Sequence, residues 1–272
     1  MPPARPWTDE YTLLCERCGY VIEGLPKEGA CPECGTPIAE SLPERRRSIA
    51  GQAPLRIALS DVRHPIRSLD TMAIEDRCAR HGTTMRLLAS AAIGLWCVPV
   101  ALVFTVQRER EFSGFADALV DGLSGAMVLF GGTILLLGVA WASLEFLTWV
   151  ESTGLQVISR QRRTRITPAI ASSVCARGSV GWLLGAVLSH VPLWVATLLW
   201  IALSRSHDHG DYESPALPGW AWSPVELAPL LALAALIAGF LFFETFAWLG
   251  LRRLKYANRA RPHQIPASGA EP

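Results

Sequence analysis

Residues 178–204 read GSVGWLLGAVLSHVPLWVATLLWIALS, 27 positions without an Asp, Glu, Lys or Arg. An α-helix rises about 1.5 Å per residue, so about 20 such residues cross a hydrocarbon layer about 30 Å thick. Three more stretches lack the four charged residue types: 87–106, 122–144 and 227–243, the last reaching residue 251 if Glu244 is tolerated. Buried helices of soluble proteins rarely run this long without a charge. The expected fold is therefore an all-α membrane protein with four transmembrane helices, over about 87–106, 122–146, 180–203 and 227–250.

The whole-chain averages agree with this reading. Of 272 residues, 50% are hydrophobic and 18% charged, against about 25% charged in an ordinary soluble domain. That composition excludes intrinsic disorder, which needs low hydrophobicity and high net charge. Seven cysteines are too dilute for a disulfide scaffold. A formal net charge of +1 gives no bulk reason to expect nucleic acid as a partner.

Arginine and lysine set the expected orientation, because loops rich in them stay in the cytoplasm. Arg67, Arg77, Arg80 and Arg86 precede the first stretch. Arg160, Arg162, Arg163, Arg165 and Arg177 lie between the second and third, and Arg252, Arg253, Lys255, Arg259 and Arg261 follow the fourth. The two intervening loops are acidic on balance. The opening residues contain no apolar signal-peptide core. These features predict a multi-pass protein of the bacterial cytoplasmic membrane with both termini inside. Trp149, Trp182 and Trp248 fall at the expected inner ends, and Trp200, Trp220 and Trp222 at the outer ends, as amphipathic rings do.

The N-terminal part, 1–43, holds Cys15-Glu16-Arg17-Cys18 and Cys31-Pro32-Glu33-Cys34, each pair followed by glycine. Two thiolates two residues apart can share one ion across a tight turn. The glycine lets the backbone reach φ > 0 there. Two such turns make a closed S4 site of Cys15, Cys18, Cys31 and Cys34, with a metal core over 15–35. Cys15 to Gly35 resembles the short zinc ribbon found at the start of bacterial membrane proteins, and is similar to the rubredoxin-like tail of rubrerythrins in its CxxCGY and CPxCG text. The first resemblance implies a small β ribbon holding zinc. The second implies iron and electron transfer, although the Glu-x-x-His pairs of a di-iron domain do not follow. Spacing alone leaves zinc and iron open.

Between ribbon and membrane, 44–86 starts with Glu44-Arg45-Arg46-Arg47, a lipid contact or a solvated charge cluster. Leu55, Leu59, Val62, Ile66 and Leu69 then recur at helical spacing, interrupted by Pro65. That stripe could lie on anionic lipid or pack on the rest of the chain. The membrane domain is expected over 87–251, and 252–272 reads as a disordered basic tail. Residues 144–150 and 243–249 share the pattern apolar-Glu-x-apolar-x-Trp-apolar, which suggests two repeated helical hairpins. Glu145, His190 and Glu244 would lie inside the spans, where charge costs a few kcal/mol unless paired or hydrated. They could form a polar cluster, a structural pairing or a proton path. His207, Asp208, His209 and Asp211 form a loop cluster that reads as solvated rather than metal-binding. Cys78, Cys97 and Cys175 read as plain thiols.

No Walker A loop, GxSxG, HExxH or paired-carboxylate site marks an enzyme. The expected role is scaffolding, interaction or regulation, with the bilayer and an unidentified protein bound through the ribbon as partners. The alternatives are an iron-binding redox module on a membrane anchor and a small transport unit, in which a homo-oligomer could line the path.

Overall fold

The computed structural model describes residues 10–99, 101–102, 115–206 and 224–259. Helices α1 (Pro54–Arg63), α2 (Pro65–Thr71), α3 (Asp76–Gly94), α4 (Phe115–Gln161), α5 (Pro168–Gly178), α6 (Val180–Ser206) and α7 (Pro224–Arg253) follow in order. Two 3-10 turns, Ile38–Ser41 and Pro43–Arg45, precede them. Among the described residues there is no strand. The pairings Leu14 with Val21 and Ala30 with Pro37 are isolated bridges, where a β ribbon was expected.

Local chemistry sets the helix ends. Pro65 disfavours helical backbone at the residue before it, and His64 sits at φ −139°, ψ 61° between α1 and α2. The interrupted stripe is therefore two helices. Pro168 opens α5 at a position that needs no N–H partner, and the Thr167 hydroxyl accepts the Ile170 N–H at 3.3 Å. Helix α4 stops at a left-handed residue, Arg163 at φ 54°, with the Thr164 N–H donating to the Ser159 carbonyl at 3.0 Å.

Among the described residues, three helical stretches are long and apolar enough to cross a membrane: Gly125–Gln161, Pro168–Ala202 and Leu227–Arg253. They cover most or all of three of the four expected spans. The one expected over 122–146 does not end there, because α4 runs on to Gln161. Its 47 residues rise about 70 Å, far more than a hydrocarbon core requires. In the stretch 87–106, α3 continues to Gly94, a turn falls at Leu95 and Trp96, and helical backbone resumes at Cys97. Residues 103–106, the loop cluster 207–211, and Trp220 and Trp222 lie outside the described residues.

The chain forms two compact units. The described residues within Met1–Thr84, Phe146–Val180 and Phe242–Pro272 make one, and those within Met85–Glu145 and Gly181–Leu241 the other. The first unit has a conventional core of large side chains: Leu69, Met72, Ile170, Val174, Phe243, Phe246 and Leu254 are all buried. The second is packed through small residues, as membrane helices are. Ala89, Ser90, Ala186, Ser189, Ala228 and Ala232 are buried, while Met127, Ile134, Val191 and Leu198 are exposed. At Gly239 the backbones of α6 and α7 come so close that a Cβ would meet the Gly181 carbonyl, and Gly185 Cα at 2.7 Å. Only glycine permits that crossing.

The first unit corrects the expected disordered tail over its opening residues. Leu254, Ala257 and Asn258 are buried, so the chain stays packed to this point. Residues 260–272 lie outside the described residues. The two sequence-matched helix ends share part of a burial pattern: Leu144 and Phe243 are buried, Thr148 and Ala247 are buried, and Trp149 and Trp248 are exposed, but Leu147 is exposed where Phe246 is buried.

Candidate metal centre

Two knuckles of the same design build the site. In the first, the Gly19 N–H donates to the Cys15 carbonyl at 2.8 Å and the Cys15 N–H to the Tyr20 carbonyl at 2.8 Å. In the second, the Gly35 N–H donates to the Cys31 carbonyl at 2.9 Å and the Cys31 N–H to the Thr36 carbonyl at 2.8 Å. Gly19 and Gly35 sit at φ 80° and 70°, the left-handed turn that brings each Cys pair onto one side.

The knuckles face each other. Cys15 Sγ lies 3.5 Å from Cys34 Sγ, and Cys18 Sγ lies 3.6 Å from Cys31 Sγ. All four sulfurs fall within 4.8 Å of one another. A tetrahedral ion with metal–sulfur bonds of about 2.3 Å separates its sulfurs by about 3.8 Å. The four thiols thus fit one S4-coordinated ion, and the donor set suits zinc or iron equally. Burial pushes the Cys18 thiol up to about 12. The Thr36 hydroxyl, 3.3 Å from Cys34 Sγ, and the Thr36 backbone hold Cys34 down at about 6. A bound cation would replace this uneven pattern with four thiolates.

Around the sulfurs, Ile22 and Ile38 are buried with Cys15 and Cys31, and Leu13, Leu25 and Leu42 pack on them. That is a small core. Most of the fixation comes from polar bonds to distant parts of the same unit. Asn258 donates to the carbonyls of Leu14 at 2.7 Å and Ser41 at 2.6 Å, and accepts the Leu14 N–H at 2.9 Å. Buried Arg165 donates to the Thr12 carbonyl at 2.5 Å, the Ala257 carbonyl at 2.9 Å and Asn258 Oδ1 at 2.8 Å. Glu16, between the first two ligands, receives both Nη2 and Nε of Arg46. Arg46 also donates to the Met72 carbonyl at 3.0 Å. The arginine run 45–47 is therefore partly interior: Arg46 is buried and Arg47 bridges to Met72. The ring of Tyr256 closes over Gly19, where a Cβ would meet it at 2.8 Å.

Two of the other expected residues have partners distant in sequence. Glu145 receives the Arg86 Nε at 2.8 Å, and the His190 ring nitrogen lies 2.7 Å from the Ala92 carbonyl. Both therefore take a partner from α3. Glu244 is half-buried on α7 within the first unit. Cys78 and Cys175 are buried and Cys97 half-buried. The sequence reading missed Asn258, Arg165 and Glu16. Glu16 could have been suspected from its place inside a Cys pair. Asn258 carries no local signal, because its partners Leu14 and Ser41 lie more than 200 positions away and Arg165 more than 90.

Fold and site define a helical protein with membrane-length apolar helices and a tetracysteine cluster able to hold a metal ion. No family model, curated protein or solved structure matches the chain.

Proposed function

We propose that the protein is a four-span protein of the bacterial inner membrane, with both termini cytoplasmic, whose zinc-holding knuckle pair acts as a metal-dependent brace in a scaffolding or regulatory role. The stretch 87–106 supplies the fourth span. One observation carries the reading. The Asn258 side chain ties the knuckle backbone at Leu14 to the segment just after α7, while Arg165 ties the same segment to Thr12 beside the knuckles. A metal that orders the knuckles orders those segments with it. Zinc is put before iron because Cys15 to Gly35 resembles the short zinc ribbon and no Glu-x-x-His pair of a di-iron domain follows in the sequence.

The test starts with elemental analysis of protein from native-level expression. One zinc per chain and a colourless preparation are expected; stoichiometric iron with thiolate-to-iron absorption overturns the zinc assignment. Hydrogen exchange is then followed after chelation. Faster exchange over 162–166 and 254–259 is expected. Unchanged exchange there, with loss of protection confined to 10–42, overturns the brace. A reporter fused to the C-terminus and active only outside the cytoplasm overturns the topology.

A further inference from the structure

Apart from Leu69 and the half-buried Val62, the apolar stripe of α1 and α2 does not pack inward. Ile57, Ala58 and Asp61 of α1 and Ser68 and Leu69 of α2 are buried. Leu55, Leu59 and Ile66 point away, at 67%, 48% and 44% exposure. Amphipathic helices normally bury such residues. Here the inward face is chosen by an ion pair: Arg177 Nε donates to Asp61 Oδ2 at 2.7 Å, and Ser68 bonds to both partners.

The same pairing changes the charge these helices show. By sequence, 54–71 carries Arg56, Arg63 and Arg67 against Asp61 and Asp70. Asp61 is fully buried against Arg177, and Asp70 pairs with Arg253 at 3.4 Å. Arg56, Arg63 and Arg67 are left exposed beside the exposed Leu and Ile side chains. Both anchoring arginines also mark a depth. Arg177 lies just before Val180, where α6 begins, and Arg253 ends α7 one turn beyond Trp248. The Arg252 guanidinium stacks 3.9 Å above the Trp248 ring, the pairing of an aromatic with a cation that suits a membrane–water boundary.

We propose that α1 and α2 form an interfacial ledge for anionic lipid. Leu55, Leu59 and Ile66 enter the boundary between headgroups and acyl chains, and Arg56, Arg63 and Arg67 meet lipid phosphates. The proposal does not depend on the metal or on the role of the brace. Its occupant is argued from charge and depth: three exposed arginines, two neutralised acids, and anchor points at the ends of membrane-length helices.

The full chain is reconstituted in nanodiscs with the photoreactive substitution Leu59→p-benzoylphenylalanine, and the same group at exposed Glu44 serves as reference. With phosphatidylglycerol present, irradiation should attach lipid at position 59 far more than at 44. The triple variant Arg56→Gln, Arg63→Gln, Arg67→Gln should cut the yield about tenfold or more, since each basic residue contributes about fivefold near an anionic surface. Its melting temperature should match the parent, because none of the three takes part in the Asp61–Arg177 pair. A cross-linked dimer would mean that a second copy covers the stripe, and overturns the proposal. So does a yield equal to that at position 44, or one indifferent to headgroup charge.

Discussion

Replacing Arg177 by Met strands the Asp61 carboxylate in the interior. Asp61 is 0% exposed and the Arg177 side chain 7%. The guanidinium supplies Nε and Nη2 to the two carboxylate oxygens, and Nη2 also donates to Ser68 Oγ at 2.7 Å. Removing one partner of a buried pair leaves an uncompensated charge, which costs about 3–5 kcal/mol. At about 1.4 kcal/mol per tenfold, the first unit should unfold about two to three and a half orders of magnitude more readily. The cost is mainly the stranded charge, so Asp61→Leu combined with Arg177→Met should recover most of it. What remains is the bonding of Ser68, about 1 kcal/mol. Denaturant titration of the purified full chain, followed by tryptophan fluorescence, gives the four corners of the double-mutant cycle. The expected coupling is at least about 2 kcal/mol, within the range of contacting pairs. If Arg177→Met costs under about 1 kcal/mol, or the double variant is no better than the single, the pair is hydrated and does not choose the inward face of α1.

Cys18→Ser should remove the metal stoichiometrically and leave the knuckles protease-sensitive, read by elemental analysis and limited proteolysis, because three thiolates no longer close the site. Asn258→Leu removes side-chain bonds to Leu14 and Ser41 and should destabilise the first unit by about 2–4 kcal/mol, with faster exchange over 10–42, if each buried group left unpaired costs about 1–3 kcal/mol. Gly239→Ala sets a methyl group against α6 backbone and should lower the melting temperature of the second unit by several degrees, while Ala247→Gly, away from that crossing, should not alter the α6–α7 contact. His81 is buried, and burial first and Arg177 second push its pKa below 6.5, with Asp61 opposing. The unfolded chain therefore binds the proton more readily. The contribution is fully present above about pH 6.5 and is lost as pH falls through the folded value. Wild-type melting temperature should fall on acidification, and the slope below pH 6.5 should be shallower in His81→Gln.

Legibility followed the range of the interactions. The four cysteines were readable because a knuckle is a local object: two ligands, a turn and a glycine within five positions. Membrane-length helices were readable because hydrophobic length is additive along the chain. The α1–α2 break was readable from Pro65. By contrast, the stripe from Leu55 to Leu69 suggested one apolar face, and only Leu69 of its large residues is fully buried. A buried ion pair to a helix more than 100 positions away overrode the local pattern. By sequence, the arginine excess between the second and third spans reads as loop charge. Two of its members, Arg165 and Arg177, are interior hydrogen-bond hubs. Charge counting does not distinguish a solvated arginine from a buried one.

By itself, then, the sequence determined what depends on neighbours along the chain: which segments are apolar enough for a bilayer, that Pro65 splits α1 from α2, and which thiols share a site. Only the tertiary structure decided which arginines are interior, that α4 runs far past its apolar stretch, and that Asn258 locks the knuckles to the end of α7. The physical reason is that a buried polar group must be satisfied by whatever the fold brings to it. Those partners are set by the path of the backbone through space, which no local window of residues contains.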